Sequence, residues 1–224
     1  MKFNELTLLL EQNESSMFIS RNLNQRKEQY LQQFNKRIYD YISSTPSFPK
    51  NHLNHLDLDG YPGEKLPAEL KYVDGTLNLS NSKIKQLPPG LEINRTLTLN
   101  AVENDVYIPE SVKYKSLDIS MTGISSIPGN RTLNFLYMSD NWELTSLPDG
   151  LKMLDLDATV SHLTHIPKDI KVFENVYISE TPFIENFINT HRLSYGMHDT
   201  TDEVIITLKH IYPGMQTAHI YYNI

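Results

Sequence analysis

The chain has 224 residues with 20 Lys and Arg against 27 Asp and Glu, a formal charge of −7 and an isoelectric point near 5.6. That balance argues against a nucleic-acid surface, which needs a basic face to neutralise phosphates. Cysteine is absent, which excludes disulfides, thiolate metal sites and cysteine nucleophiles together and leaves the redox compartment undetermined.

At the N-terminus, Met1-Lys2-Phe3-Asn4-Glu5 leads only to the apolar run Leu8-Leu9-Leu10 before Glu11, too short for the core of a signal peptide. No stretch is long enough to span a bilayer, so the expectation is a soluble, cytoplasmic protein. Residues 1 to 50 read as a helical cap or docking helix. Leu23, Tyr30, Leu31, Phe34, Ile38, Tyr41 and Ile42 recur at three- and four-residue steps among polar positions, which predicts an amphipathic helix over roughly 18–44, ended by Ser43-Ser44-Thr45-Pro46. Phe3 to Gln12 reads as a separate small helix or an arm.

Residues 51–182 carry a repeat. Apolar pairs recur as Leu56 with Leu58, Leu77 with Leu79, Leu97 with Leu99, Leu117 with Ile119, Leu136 with Met138, Leu154 with Leu156, and Val176 with Ile178, at spacings of 21, 20, 20, 19, 18 and 22 residues. Eleven to thirteen residues after the first member of six of these pairs stands a proline behind an apolar residue, as in Leu66-Pro67, Leu87-Pro88 and Ile108-Pro109. Such a period marks stacked coils rather than a globule with one central core. The alternation Thr76-Leu77-Asn78-Leu79-Ser80 is a strand with one buried face. Strands repeated at a fixed short period can pair only in parallel, and the proline holds the returning segment extended. In the fifth coil the strand is assigned to Leu136 and Met138, although Asn130-Arg131-Thr132-Leu133 also offers Leu133 and Phe135.

The pattern Leu77-x-Leu79-x-x-Ser82-x-Ile84-x-x-Leu87-Pro88-x-x-Leu91, repeated from Leu117 to Pro128, resembles a leucine-rich repeat. It is similar to the short, proline-marked repeats of bacterial effectors and tailed-bacteriophage proteins. The resemblance implies an α+β repeat fold: a solenoid of about seven coils with a parallel sheet on its concave face and no regular convex helices. It departs from the pattern in the turn after each strand, where only Asn141 is Asn. Ser82, Thr122, Thr159 and Thr181 offer a hydroxyl there, whereas Tyr61 and Val102 do not, so the first and third coils are expected to be irregular.

Residues 183–224 read as a capping segment. Phe183, Ile184, Phe187 and Ile188 suggest a helical turn or two; a helix then begins at Thr201-Asp202-Glu203 and stops at Pro213-Gly214. Ala218, Ile220 and Tyr222 alternate as a last strand that would seal the final edge.

Function is expected on the concave face. The 21 residues flanking the buried pairs, from His55 to Ser179, include five Asp and no Lys or Arg. Asp57, Asp59, Asp118, Asp155 and Asp157 are the acids; Phe135, Tyr137, Met153 and Tyr177 form an apolar cluster at one end. That combination suits a protein partner with a basic surface, aromatic residues supplying energy and acids supplying register. The same acids also suit a plain solvated strand face. Asp57 with Asp59, or Asp155 with Asp157, are too few donors for calcium alone, and His162 with His165 lacks metal-pair geometry. No catalytic motif is present, and neither metal nor cofactor is expected. The resulting expectation is a non-catalytic interaction module, the alternative being an assembly component of a virion or other complex that docks through the first helix or the tail.

Overall fold

The computed structural model describes residues 3–44, 54–191, 193 and 200–222, with side chains from Asn24 onward in the first helix and from Glu203 onward in the last. The chain winds into a solenoid of parallel strands. Its principal sheet has eight of them in the order β1 (Leu56–Asp57), β3 (Leu77–Asn78), β5 (Thr96–Thr98), β6 (Ser116–Asp118), β7 (Phe135–Tyr137), β8 (Lys152–Asp157), β9 (Lys171–Tyr177) and β10 (His219–Tyr221). A flanking ladder pairs β2 (Tyr72–Val73) with β4 (Glu92–Ile93) and continues through Lys113. Thr132, Lys152 and Lys171 pair with one another in the same way further along. No α-helix lies between β1 and β9.

One buried row fixes the register. Leu56, Leu77, Leu97, Leu117, Leu136, Leu156, Val176 and Ile220 are successive Cα partners across the sheet. The first seven lie 19 to 21 residues apart and the last step is 44. Strands this short hold few hydrogen bonds, so their stability comes from stacking: full burial of each Leu contributes about 2 kcal/mol. In the fifth coil Leu136 and Met138 are fully buried, as expected, and Leu133 is buried in the flanking ladder.

The sixth coil corrects the sequence reading. Leu154 is exposed at 38%, whereas Leu156 and Ala158 face the core. Met153, expected on the open face, is 1% exposed because it pairs with Val172 in the flanking ladder. The register shifts between Met153 and Asp155, with one more residue on β9 than on β8, and that bulge absorbs the difference in coil length.

Four residues after each Leu or Val of the row up to Val176, the backbone turns left-handed. Gly60, Asn81, Ala101, Met121, Asp140, Val160 and Glu180 have φ between 54° and 71°. Only the first is glycine, and Val160 is β-branched, the side-chain type least suited to that region. The next residue points inward at every turn. Asn141 donates to Thr122 Oγ1 (3.0 Å) and Ile124 O (3.2 Å) and accepts from the Glu143 and Leu144 amides (3.1 and 2.7 Å). Thr122 and Thr181 donate to the carbonyls three residues before them. In the sixth coil this role falls to Ser161, which donates to Ala158 O at 2.6 Å, not to Thr159. The first and third coils keep the register despite lacking such a group. Tyr61 buries its ring and donates to Lys65 O (2.8 Å), while Asn104 donates to Ile84 O (3.4 Å) beside the buried Val102.

The N-terminal element is one helix, α1 (Phe3–Ser44), rather than a short helix or arm followed by a second. Its sequence contains no glycine or proline, the residues that interrupt helices at greatest cost. Phe34, Ile38 and Tyr41 are buried against the first coil, Phe34 meeting Tyr61 edge-on with centroids 5.7 Å apart. Arg37 Nη1 donates to Asp57 O (2.9 Å) and the Tyr41 hydroxyl to Asn54 O (3.0 Å), so this helix blocks the first edge of the sheet.

At the other end α2 (Pro182–His191) and α3 (Thr200–Ile211) form the long crossover to β10. Phe183, Ile184, Phe187 and Ile188 of α2 and Val204 and Leu208 of α3 are buried. The last strand extends the sheet as its eighth member instead of sealing it, leaving β10 as the terminal strand. No helix among the described residues is long and apolar enough to cross a membrane.

Candidate functional site

The open face of the principal sheet carries the residues on either side of each buried row member. With the corrected register these are Asp155, Asp157 and Thr159 in β8 and its exit, Asn175, Tyr177 and Ser179 in β9 and its exit, and His219 and Tyr221 in β10. Met153 leaves the strip; His219 and Tyr221 join it. Among the described positions of this face, none is Lys or Arg. Cations lie on the flank instead, where Lys113, Lys152 and Lys171 belong to the second ladder and Lys113 pairs with Glu92.

Two rows cross the C-terminal half of the face. Phe135, Asp155, Asn175 and His219 are successive partners, as are Asp118, Tyr137, Asp157, Tyr177 and Tyr221. Tyr137 and Tyr177 are each 37% exposed and Tyr221 46%. Phe135 stacks on Tyr137 with centroids 4.7 Å apart and planes at 17°; Tyr177 stacks on Tyr221 at 4.7 Å and 10°. The Tyr137 hydroxyl is held above the usual tyrosine pKa, first by burial and then by the carboxylates of Asp155, Asp157 and Asp118. It stays neutral and sits in a negative field.

The structure therefore brings together Asp118, Phe135, Tyr137, Asp155, Asp157 and Tyr177. Asp57 and Asp59 stand apart, on a strand four positions from β7, or about 19 Å away. Arg37 of α1 lies beside them, bonding the Asp57 carbonyl.

The acids also hold the fold. Asp57, Asp118 and Asp157 each accept from the amide two residues ahead, at 3.2, 3.0 and 3.0 Å, as Asn78 does at 3.0 Å. This local turn ends each strand before the left-handed residue. Neighbouring coils are tied by Asn78 to Asp57 (2.9 Å), Asn81 to Asp59 (2.8 Å) and Asn175 to Asp155 (2.7 Å). Each bond involves one oxygen of the carboxylate.

No protein-family model matches the chain, and no curated protein does. Among the described residues no group of three or more His, Asp and Glu is placed to hold a metal ion. In the return loops of the fifth and sixth coils, His162 Nδ1 meets Trp142 O at 2.8 Å.

Tyr221 and His219 escaped the sequence reading because β10 follows two helices, 44 residues after its partner row in β9. The alternation of Ala218, Ile220 and Tyr222 was a usable signal. It places Tyr221 outward, in step with Tyr177.

Proposed function

We propose that the chain is a leucine-rich repeat solenoid of about seven coils that acts without catalysis, binding a protein partner with a basic surface through the open face of its principal sheet. The observation that carries this reading is the segregation of charge. The strip contains exposed tyrosines and five aspartates with no cation among its described positions, while lysines line the flank. Contiguous exposed aromatic surface is rare unless something covers it, and a rigid stack loses little ordering entropy on binding.

The test is capture by the immobilised chain from the cells that make it. A partner retained by the native chain, lost with Tyr137→Ala and Tyr177→Ala and released by raised salt supports the proposal. The same proteins retained by both forms would contradict it.

A second reading, an assembly component, draws on α1. Its 42 residues span about 63 Å, yet residues 24–30 are all exposed and contact with the solenoid begins near Leu31. Light scattering separates the two readings: concentration-dependent self-association that disappears when residues 1–29 are removed favours assembly, and a monomer in both cases favours the interaction module.

A further inference from the structure

We infer that Asp157 and Tyr177, beside Tyr137, form a slot for one arginine side chain of a protein partner, with the guanidinium stacked on the Tyr177 ring and lying over the carboxylate. This rests on the reading of the open face as a surface for a cationic partner and names the side chain it would take.

The spacing comes from the register. Tyr137, Asp157 and Tyr177 are consecutive partners on β7, β8 and β9. Neighbouring strands are about 4.8 Å apart, so the two tyrosines stand about 10 Å apart with the carboxylate between them. A cation above Asp157 lies about 5 Å from the Tyr177 ring, inside the distance of about 6 Å at which a ring face attracts it. Tyr221 stacks on Tyr177 across the strands, from the side away from Asp157, which leaves the other Tyr177 face turned to the carboxylate; Phe135 stacks on Tyr137 along its own strand and holds that ring at the far rim.

The floor is oriented as well. Asp157 Oδ1 accepts from the Thr159 amide at 3.0 Å, which fixes the carboxylate, and Oδ2 accepts nothing from the described residues. Asp118 and Asp155 flank the slot and deepen its negative potential, the same field that helps to keep the Tyr137 hydroxyl protonated. No ion pair formed within the described chain uses Asp118, Asp155 or Asp157. A planar guanidinium stacks on a ring face while donating two bonds to one carboxylate; an ammonium is a compact, strongly hydrated point charge that does neither. The slot therefore selects arginine over lysine.

The test is an amide NMR titration of the full chain with Nα-acetyl-arginine methylamide and, separately, Nα-acetyl-lysine methylamide. The arginine probe should shift the amides of Tyr137, Asp157, Thr159 and Tyr177 saturably, with the lysine probe about tenfold weaker. Tyr177→Ala and Asp157→Asn should each weaken the arginine probe by about tenfold, whereas Tyr137→Phe, which keeps the ring face, should bind as the native chain does. Unchanged amide positions for Leu97 and Leu117 would show that the stack remains folded in each variant. Equal response to the two probes, with the tyrosine variants unaffected, overturns the slot and leaves a generally cationic partner standing. An absence of saturable shifts with the arginine probe overturns the slot too; if a hexa-arginine peptide also leaves the strip unmoved, the cationic-partner reading falls with it.

Discussion

Replacing Asn141 with alanine removes a fully buried side chain that makes four hydrogen bonds, two to the preceding coil and two within its own turn. The Leu144 amide and the Ile124 carbonyl lose a partner where water does not reach. Each orphaned buried group costs about 1–3 kcal/mol, and the vacated volume adds to this, for a total near 4 kcal/mol. Asn141→Asp keeps the acceptor for the two amides but loses the donor and sets a carboxylate against the Ile124 carbonyl where water does not reach, so it should cost at least as much. Ser82 occupies the same place in an earlier turn, but its Oγ is buried without a partner among the described residues. Ser82→Ala should therefore be neutral or stabilise by up to about 1 kcal/mol. Urea unfolding followed by circular dichroism measures all three. Equal midpoints for Asn141→Ala and Ser82→Ala would refute the claim that satisfied polar groups in the turns hold the coils together.

Other consequences follow from the same register. Leu156→Ala should cost about 3 kcal/mol and Leu154→Ala less than about 1 kcal/mol, since only the former faces the core; chemical unfolding distinguishes them, and equally large costs would restore the 154/156 pairing. Val160→Gly should raise stability by about 1 kcal/mol by relieving a β-branched residue at φ 56°, seen as a higher melting temperature. Burial pushes the Tyr114 hydroxyl up to about 12, with Arg131 opposing and Glu110 adding to the rise. Because its pKa is higher in the folded chain, the stabilisation is complete below about pH 10, the ordinary tyrosine value, and is lost as pH rises towards 12, by about 2–3 kcal/mol. Tyr114→Phe should flatten alkaline unfolding over that window, and an unchanged profile would remove Tyr114 as its cause.

The period of Leu and Pro was enough to place most of the stack, because each coil solves the same packing problem. It failed where two solutions shared a face. In Met153-Leu154-Asp155-Leu156-Asp157 a slip of one residue reverses inside and outside, but a slip of two preserves the alternation and gives no warning. Choosing Leu154 therefore put Met153 on the open face, when the bulge against β9 sends it into the flanking ladder. The left-handed residues gave no sign either: six of the seven are not glycine, so composition did not reveal a turn that the stacking imposes. The aromatic end of the strip was visible through Tyr137 and Tyr177. The stack on Tyr221 depends on a strand that returns from two helices away: the alternation around Ile220 turns Tyr221 outward, but its pairing with Tyr177 across 44 residues is in no local pattern. Nor could residue type alone reveal that Asp57, Asp118 and Asp157 each tie down an amide of their own strand exit while leaving an oxygen for other contacts.

The row that unites Tyr137, Asp157 and Tyr177 is open to a direct measurement, because the native chain has no cysteine to interfere. Paired cysteines at Asp157 and Tyr177 would be register neighbours, at a Cα separation of about 5 Å that a disulfide can span. Oxidation should crosslink Asp157→Cys with Tyr177→Cys rapidly and leave Asp155→Cys with Tyr177→Cys largely reduced. Crosslinking of the second pair in preference to the first would contradict the register on which the open face, its tyrosine walls and its central carboxylate all depend.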